Sequence, residues 1–275
     1  VQIMDVSAVV CTLNSAASLN ACLVSLKQSG VAEIIVVDAG STDGSITIAL
    51  HHGATVLTDG GIGLGAARNV GIAASKGRLI LNMGADNYLP PLQLEVMRDA
   101  LDHCQGVGAV TFVNGRGFVA HGLNAWRRAR FQPGPVDVIG TPSLFDGDTL
   151  RAHPFDEGRR FSDDSELCER WRLQLGARFV ISRAIVMESG RVTLSELRAR
   201  CTMYGISDGE VFRSGVAAGW SWRRRVRSML HPLRVDLIQP MRRLPLRESL
   251  SALPFLLAFV SLRYWGWLRS RHEEP

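Results

Sequence analysis

Through the first half of the chain, short unbroken apolar runs alternate with segments whose apolar residues recur every three or four positions. The run "VSAVVCTL" (6–13) has the pattern of a strand buried on both faces. In "NSAASLNACLVSLKQSG" (14–30), Leu19, Leu23 and Leu26 share one helical face, Asn14 or Ser15 is placed to cap it, and Gly30 to stop it. The alternation continues through "EIIVVDAG", "STDGSITIALHHG", "ATVLTD", "GLGAARNVGIAASKG", "RLILNMG", "PLQLEVMRDALDHC" and "GVGAVTFV". This order predicts an α/β fold, a mostly parallel sheet with helices on both faces. Ligands of such sheets sit at the carboxyl ends of the strands, so Asp38 and Asp86 are expected at one edge.

From Asn114 to Gly158 the alternation breaks, and "RARFQPGPVDVIGTP" (128–142) reads as a Pro- and Gly-rich binding loop. A helix is expected again at "DDSELCERWRLQLG" (163–176), with Leu167, Trp171 and Leu175 on one face. Asp163 and Asp164 fall in its first turn. They are either carboxylates favoured by the helix dipole or a catalytic pair, and spacing alone does not choose.

Beyond residue 214 the composition changes. Residues 215–275 carry 11 arginines against four acids, which leaves 20 basic and 22 acidic side chains in residues 1–214. The reading is therefore a nearly neutral catalytic domain (1–214) and a basic C-terminal segment (215–275). A neutral body argues against nucleic acid, and a basic tail argues for an anionic surface. Pro232, Pro240 and Pro245 prevent the tail from forming one long helix. The apolar run Leu253–Leu262 is shorter than the ~20 residues of a membrane span and is followed by Arg263. The expected arrangement is an amphipathic segment lying in a membrane interface, with Trp222, Trp265 and Trp267 at headgroup depth and arginines near lipid phosphates. The rival arrangement is a tail packed on the body or on another subunit. The chain opens almost directly into a strand, without a signal-peptide pattern, and five scattered cysteines without a CxxC pair suit a reducing compartment.

Gly61-Ile62-Gly63-Leu64-Gly65-Ala66 has the outline of a dinucleotide fingerprint, but it lies in the third βα unit, whereas the fingerprint belongs to the first. A glycine-rich turn that lends backbone N–H groups to a phosphate is the better version of that motif. Four segments, "VVCTLNSAASLNACLVSL", "EIIVVDAGSTDGS", "ARNVGIAASKGRLILNMGADNYLPP" and "HPFDEGRRFSDDSELCERWRLQLG", occur in the order and at the spacing of family-2 glycosyltransferases of the GT-A fold. Together they cover about the first two-thirds of the chain, and the sequence strongly resembles that family. "MYGISDGEVFR" (203–213) is loosely similar to a segment of bacterial exopolysaccharide glycosyltransferases acting on lipid-linked sugars.

The resemblance implies roles by position. Asp38 matches the acid bordering the nucleotide's base or ribose. Cys11, Leu13, Arg68 and Ala85 fall on the donor side, with Leu13 where many members carry an aromatic residue. Asp86 matches the last acid of the D-x-D motif, the ligand of Mg²⁺ or Mn²⁺, while Gly84 and Ala85 stand where members usually carry acids. Asp164 matches the catalytic base, and Asp163 stands on the acceptor side in place of the usual Glu. A hard cation with oxygen ligands suits a leaving diphosphate, and a poorly nucleophilic hydroxyl requires a base. The implied activity is inverting transfer of a sugar from a nucleotide-sugar donor to a lipid-linked or polysaccharide hydroxyl, in the cytoplasm or at the cytoplasmic face of a membrane. The rival is a GT-A protein that binds sugar or nucleotide with impaired catalysis.

Overall fold

The computed structural model describes residues 5–102, 104–158, 163–189 and 192–270. In chain order the elements are β1 (Val6–Thr12), α1 (Ala16–Gln28), β2 (Glu33–Asp38), α2 (Ser45–His51), β3 (Thr55–Thr58), α3 (Leu64–Ala74), β4 (Leu79–Gly84), β5 (Asn87–Tyr88), α4 (Gln93–Asp99) and β6 (Gly106–Val113). There follow α5 (Phe118–Arg130), β7 (Gly134–Val136), β8 (Ser143–Asp146), α6 (Gly147–Ala152), α7 (Asp163–Leu175), β9 (Phe179–Glu188), α8 (Leu194–Ala217), α9 (Trp222–Met229), a π-helical stretch Leu233–Ile238, α10 (Gln239–Arg243) and α11 (Leu246–Arg269). The chain divides into a sheet unit, residues 1–112 and 132–190, and a helical unit, residues 113–131 and 191–275.

In the sheet unit the strands run in the order β3-β2-β1-β4-β8-β6-β9-β5, with β7 also on β9. Strands β3, β2, β1 and β4 are parallel, the part the alternation pointed to. Beyond β4 the sheet continues through antiparallel pairings of β8 with β4 and β6, and of β5 and β7 with β9. On one face Ala8, Val10, Val36 and Leu81 are buried with Leu19, Leu23 and Leu26 of α1, the stripe expected from spacing. Burying each such leucine is worth roughly 1.5–3 kcal/mol. On the other face α3 approaches β1 and β2 so closely that a Cβ on Gly71 would collide with Val9. In α7 Leu167 and Trp171 are buried as expected, whereas Leu175, at the last turn, is exposed. Register sets Thr12 beside Asp38 and Cys11 beside Gly84, so the carboxyl ends of β1, β2 and β4 form one edge.

The helical unit corrects two expectations. The stretch beginning at Asn114 contains α5 before its loop, with Val119, Ala120, Leu123 and Trp126 buried. Its glycine hid the helix, yet Gly122 is required because the Phe255 ring occupies the space of a Cβ there. The apolar run Leu253–Leu262 is core: Phe255, Leu256, Phe259 and Val260 of α11 join Leu123 and Trp126 of α5 and Leu197 and Cys201 of α8 in one buried cluster. Helices α8 and α11 touch backbone to backbone, since a Cβ on Gly205 would strike the Arg263 carbonyl and one on Gly266 the Thr202 carbonyl. Arg263 is not at a surface. It donates to Asp208 at 2.6 and 2.8 Å and to Asp236 at 2.6 Å. Asp236 is fully buried and also accepts from the Trp126 indole at 3.0 Å. Burial alone would lower the Arg263 pKa, but these two carboxylates raise it. The segment 203–213 thus supplies packing glycines and an internal ion pair.

The boundary expected at 214/215 falls inside α8, and the helical unit comprises residue 191 onward together with the segment 113–131 that carries α5. Three tail prolines stand where helical segments begin, Pro232 before the π-helical stretch, Pro240 at the start of α10 and Pro245 before α11, whereas Pro254 lies inside α11. Among the described residues no helix is long and apolar enough to cross a membrane.

Candidate active site

Arg68, Asn69 and Gly71 of α3 organise the sheet edge, each by a different contact. Arg68, 5% exposed, turns one guanidinium nitrogen onto Asp163 and, at 3.0 Å, onto Asp164. The other nitrogen donates to Thr141 Oγ1 at 2.7 Å, and the guanidinium lies over the Phe155 ring at 4.9 Å. Asn69 clasps the backbone of Phe155, donating to its carbonyl at 2.9 Å and accepting from its N–H at 3.0 Å. Gly71 permits the helix to sit on β1. The acid pair at the start of α7 is therefore turned onto a buried cation. Residues 159–162 of that acceptor-side motif lie outside the described residues.

This environment separates Asp164 from an ordinary carboxylate. Burial raises its pKa from the usual value near 3.8 to about 6, with Arg68 pulling it down and Asp163 pushing it up. Arg68 stays charged, because the two carboxylates outweigh the effect of its burial. A carboxylate poised near 6 and held by a fixed cation is suited to accept a proton from a hydroxyl.

At the end of β2, Asp38 is buried and spends one carboxylate oxygen on its own turn, accepting from the Gly40 and Ser41 N–H groups at 2.9 and 2.8 Å. Its other oxygen, Oδ1, has no protein partner. The following "STDG" turn is tied to the β1–α1 loop: Asn14 Oδ1 accepts from Thr42 N–H, Asp43 accepts from Ala16 N–H, and Ser41 Oγ accepts from Asn14 N–H. Asn14 adopts φ 49° there, a conformation asparagine tolerates better than most residues. These motif residues build the edge rather than face it.

Beside this edge lies a cleft of about 460 Å³ lined by Cys11, Thr12, Leu13, Val37, Ala39, Asp59, Gly61, Gly63, Leu64 and Ala67. Leu13 is exposed at its mouth. Burial pushes the Cys11 thiol up to about 11, so it presents a neutral S–H. Asp59, which the sequence reading did not single out, is the hub of the glycine-rich turn: its two oxygens accept from Gly61 and Gly63 N–H at 3.0 and 3.3 Å. Gly60 N–H donates to Thr58 Oγ1 at 3.2 Å. The N–H groups expected to serve a phosphate are thus already engaged, and the glycines contribute their positive φ and bare surface.

The turn after β4 answers what a single acid can do. Asp86 is exposed, and its backbone carbonyl anchors Ser189 through the N–H at 2.7 Å and the hydroxyl at 2.9 Å. A Cβ on Gly84 would lie 2.8 Å from Asp86 Oδ1 and 2.9 Å from Asn87 Oδ1, so both side-chain oxygens border the space that the bare glycine leaves. Two oxygens around such a cradle suit a hard divalent cation, which completes its shell with water and phosphate. Among the described residues no group of three or more His, Cys, Asp or Glu could hold a metal ion by itself. Ala85 is buried in the sheet core, so its side chain offers nothing to a ligand. Two more side chains escaped the sequence reading: Asn82 and Ser143, register partners on β4 and β8, are buried with their polar atoms unpartnered.

A family model for glycosyl transferase family 2 matches residues 7–155, more than half of the chain. The chain belongs to this family. Solved structures similar to the glycosyltransferase include glucosyl-3-phosphoglycerate synthase from Mycobacterium tuberculosis in complex with Mn²⁺, UDP and glucosyl-3-phosphoglycerate, at 24% identity and a TM-score of 0.52, covering 70% of this chain and 74% of that one. S. aureus TarS residues 1–349 with UDP is similar at 16% identity and a TM-score of 0.54, covering 98% of this chain and 92% of that one. At these identities the likeness establishes a shared GT-A fold for the glycosyltransferase. No curated protein matches it at a significant level.

Proposed function

We propose that the protein transfers a hexosyl unit from a nucleoside diphosphate sugar to an acceptor hydroxyl, inverting the anomeric centre. The observation that carries this reading is the Arg68–Asp163–Asp164 cluster with its carboxylate poised near 6. Asp164 takes the proton of the acceptor hydroxyl as that oxygen bonds to the anomeric carbon, and the bond from that carbon to the diphosphate oxygen breaks on the opposite face. Asp163 lies on the acceptor side and shares Arg68. The nucleoside occupies the cleft at Cys11 and Leu13, with Asp38 at its base or ribose and the Ala85 backbone nearby. Asp86 and Asn87 would hold Mg²⁺ or Mn²⁺, which supplies charge neutralisation to the departing diphosphate. The UDP complexes of similar fold, one with Mn²⁺ and another with Mg²⁺, support this donor class. The acceptor in this reading is a lipid-linked or polysaccharide hydroxyl at the cytoplasmic face of a membrane. Arg223, Arg224 and Arg227 of α9, exposed on a stretch of chain without acids, support such a surface.

The test is a thermal-shift screen with UDP, GDP and dTDP, each with Mn²⁺ and with EDTA. Binding to the folded state raises stability by about 2.7 kcal/mol at a hundredfold excess over Kd, so a true donor nucleotide is detectable. One nucleotide should raise the Tm only with metal, and Asp86→Ala should remove that increment. Gly84→Ala should diminish it, because a methyl enters the cradle between the Asp86 and Asn87 oxygens. No shift with any nucleotide would favour the impaired binding protein instead, with Gly84 and Ala85 as marks of a lost site.

A further inference from the structure

Helix α9 buries none of its residues, unlike the other helices of its unit. On an α-helix Met229, Trp222, Val226 and, one step beyond, Leu230 fall within one arc, and all four are exposed, Trp222 by 69%. Arg223 and Arg227 border one side of that arc, and Arg225 the other. Arg224 lies 4.2 Å from the centroid of the Trp220 ring. The surrounding chain has no negative charge to pair with them: residues 211–235 contain six arginines and no Asp or Glu. The first acid that follows, Asp236, is buried on Arg263.

A bare apolar arc without an arginine border would suit any hydrophobic partner, and a basic helix without the arc would suit any polyanion. The two together fit a surface that is apolar within and anionic at its boundary. We infer that α9 is the element by which the protein docks on a bilayer containing anionic phospholipid, with Trp222, Val226, Met229 and Leu230 entering the headgroup region and Arg223 and Arg227 beside the phosphates. This deepens the membrane-facing part of the proposed function and moves it from the run Leu253–Leu262, where Phe255, Leu256, Phe259 and Val260 are committed to the core, to a helix with no buried residue.

Because α9 contributes nothing to the core, its side chains can be changed without unfolding the unit, and far-UV circular dichroism with Tm checks that. The experiment is co-sedimentation of the full chain with phosphatidylcholine vesicles, with and without phosphatidylglycerol, at low and high salt. Wild type should bind only the anionic vesicles, less at high salt. R223E/R227E and W222S/V226S should each lower the partition by about tenfold or more, with metal-dependent nucleotide binding unchanged. Equal binding of wild type and both variants would overturn the role of α9 while leaving a membrane surface elsewhere on the protein. Absence of wild-type binding would overturn the membrane reading as well, as would retention by immobilised RNA without any binding to vesicles. Equal binding to neutral vesicles would overturn the role of the arginines.

Discussion

Asp164→Asn should lower transfer by about 10²–10⁴-fold while the metal-dependent affinity for the nucleotide stays nearly unchanged. Asparagine keeps the size of the side chain and an oxygen that can still accept from Arg68 at the 3.0 Å position, so the cluster retains its shape. What it loses is the ability to take a proton. The pH profile separates this loss from a packing defect. In wild type kcat/KM should rise with pH through about 6, the value to which burial lifts Asp164, and level off above it, because only the ionised carboxylate is a base. Below that pH the rate falls tenfold per unit. The residual activity of the variant should lack that limb. A variant that keeps wild-type turnover, or a wild-type limb near the ordinary carboxylate value of 3.8, would remove Asp164 from the role.

The parallel strands and the helices between them were legible because each buries one face and writes its period into the sequence. Leu19, Leu23 and Leu26 announced α1 in this way, and all three are buried. The antiparallel strands β5 and β7 have only two and three residues, too few to carry a period. Helix α5 and the core of α11 failed for different reasons. One buries alanines around a glycine, which weakens the periodic signal. The other is an apolar run whose destination, lipid or protein, is decided by partners far along the chain, and the sequence does not reveal that Gly122, Gly205 and Gly266 leave room for it. The candidate site was legible only as positions: Arg68, expected on the donor side, is turned onto Asp163 and Asp164. Their contacts were less so. Asp59 was unreadable because its work is the satisfaction of Gly61 and Gly63, and Ala85, beside two oxygens that face a cradle, is itself turned into the core.

Arg68→Met should destabilise the protein by about 3–5 kcal/mol at neutral pH, the range for breaking a buried ion pair by removing one partner. The side chains of Arg68, Asp163 and Asp164 are only 6%, 12% and 25% exposed, so water cannot take over the lost interaction. Methionine fills much of the volume and keeps a contact with Phe155, which leaves charge as the main change. Without the cation the pKa of Asp164 rises further above 6, because the remaining influences, burial and Asp163, both push it up. The sign of the pH dependence follows. A carboxylate whose folded pKa exceeds its unfolded value binds more protons in the native state, so stability falls as pH rises between the two values. The deficit of the variant should therefore be smallest near pH 4, at the bottom of that window for Asp164, and larger at pH 8. Adding Asp163→Asn should recover part of it by removing one unpaired charge. Denaturant unfolding of the three proteins across that pH range checks the series. A deficit that does not vary with pH would mean that Arg68 stabilises the sheet edge by packing on Phe155 and bonding Thr141, and that its field is not what sets the state of Asp164.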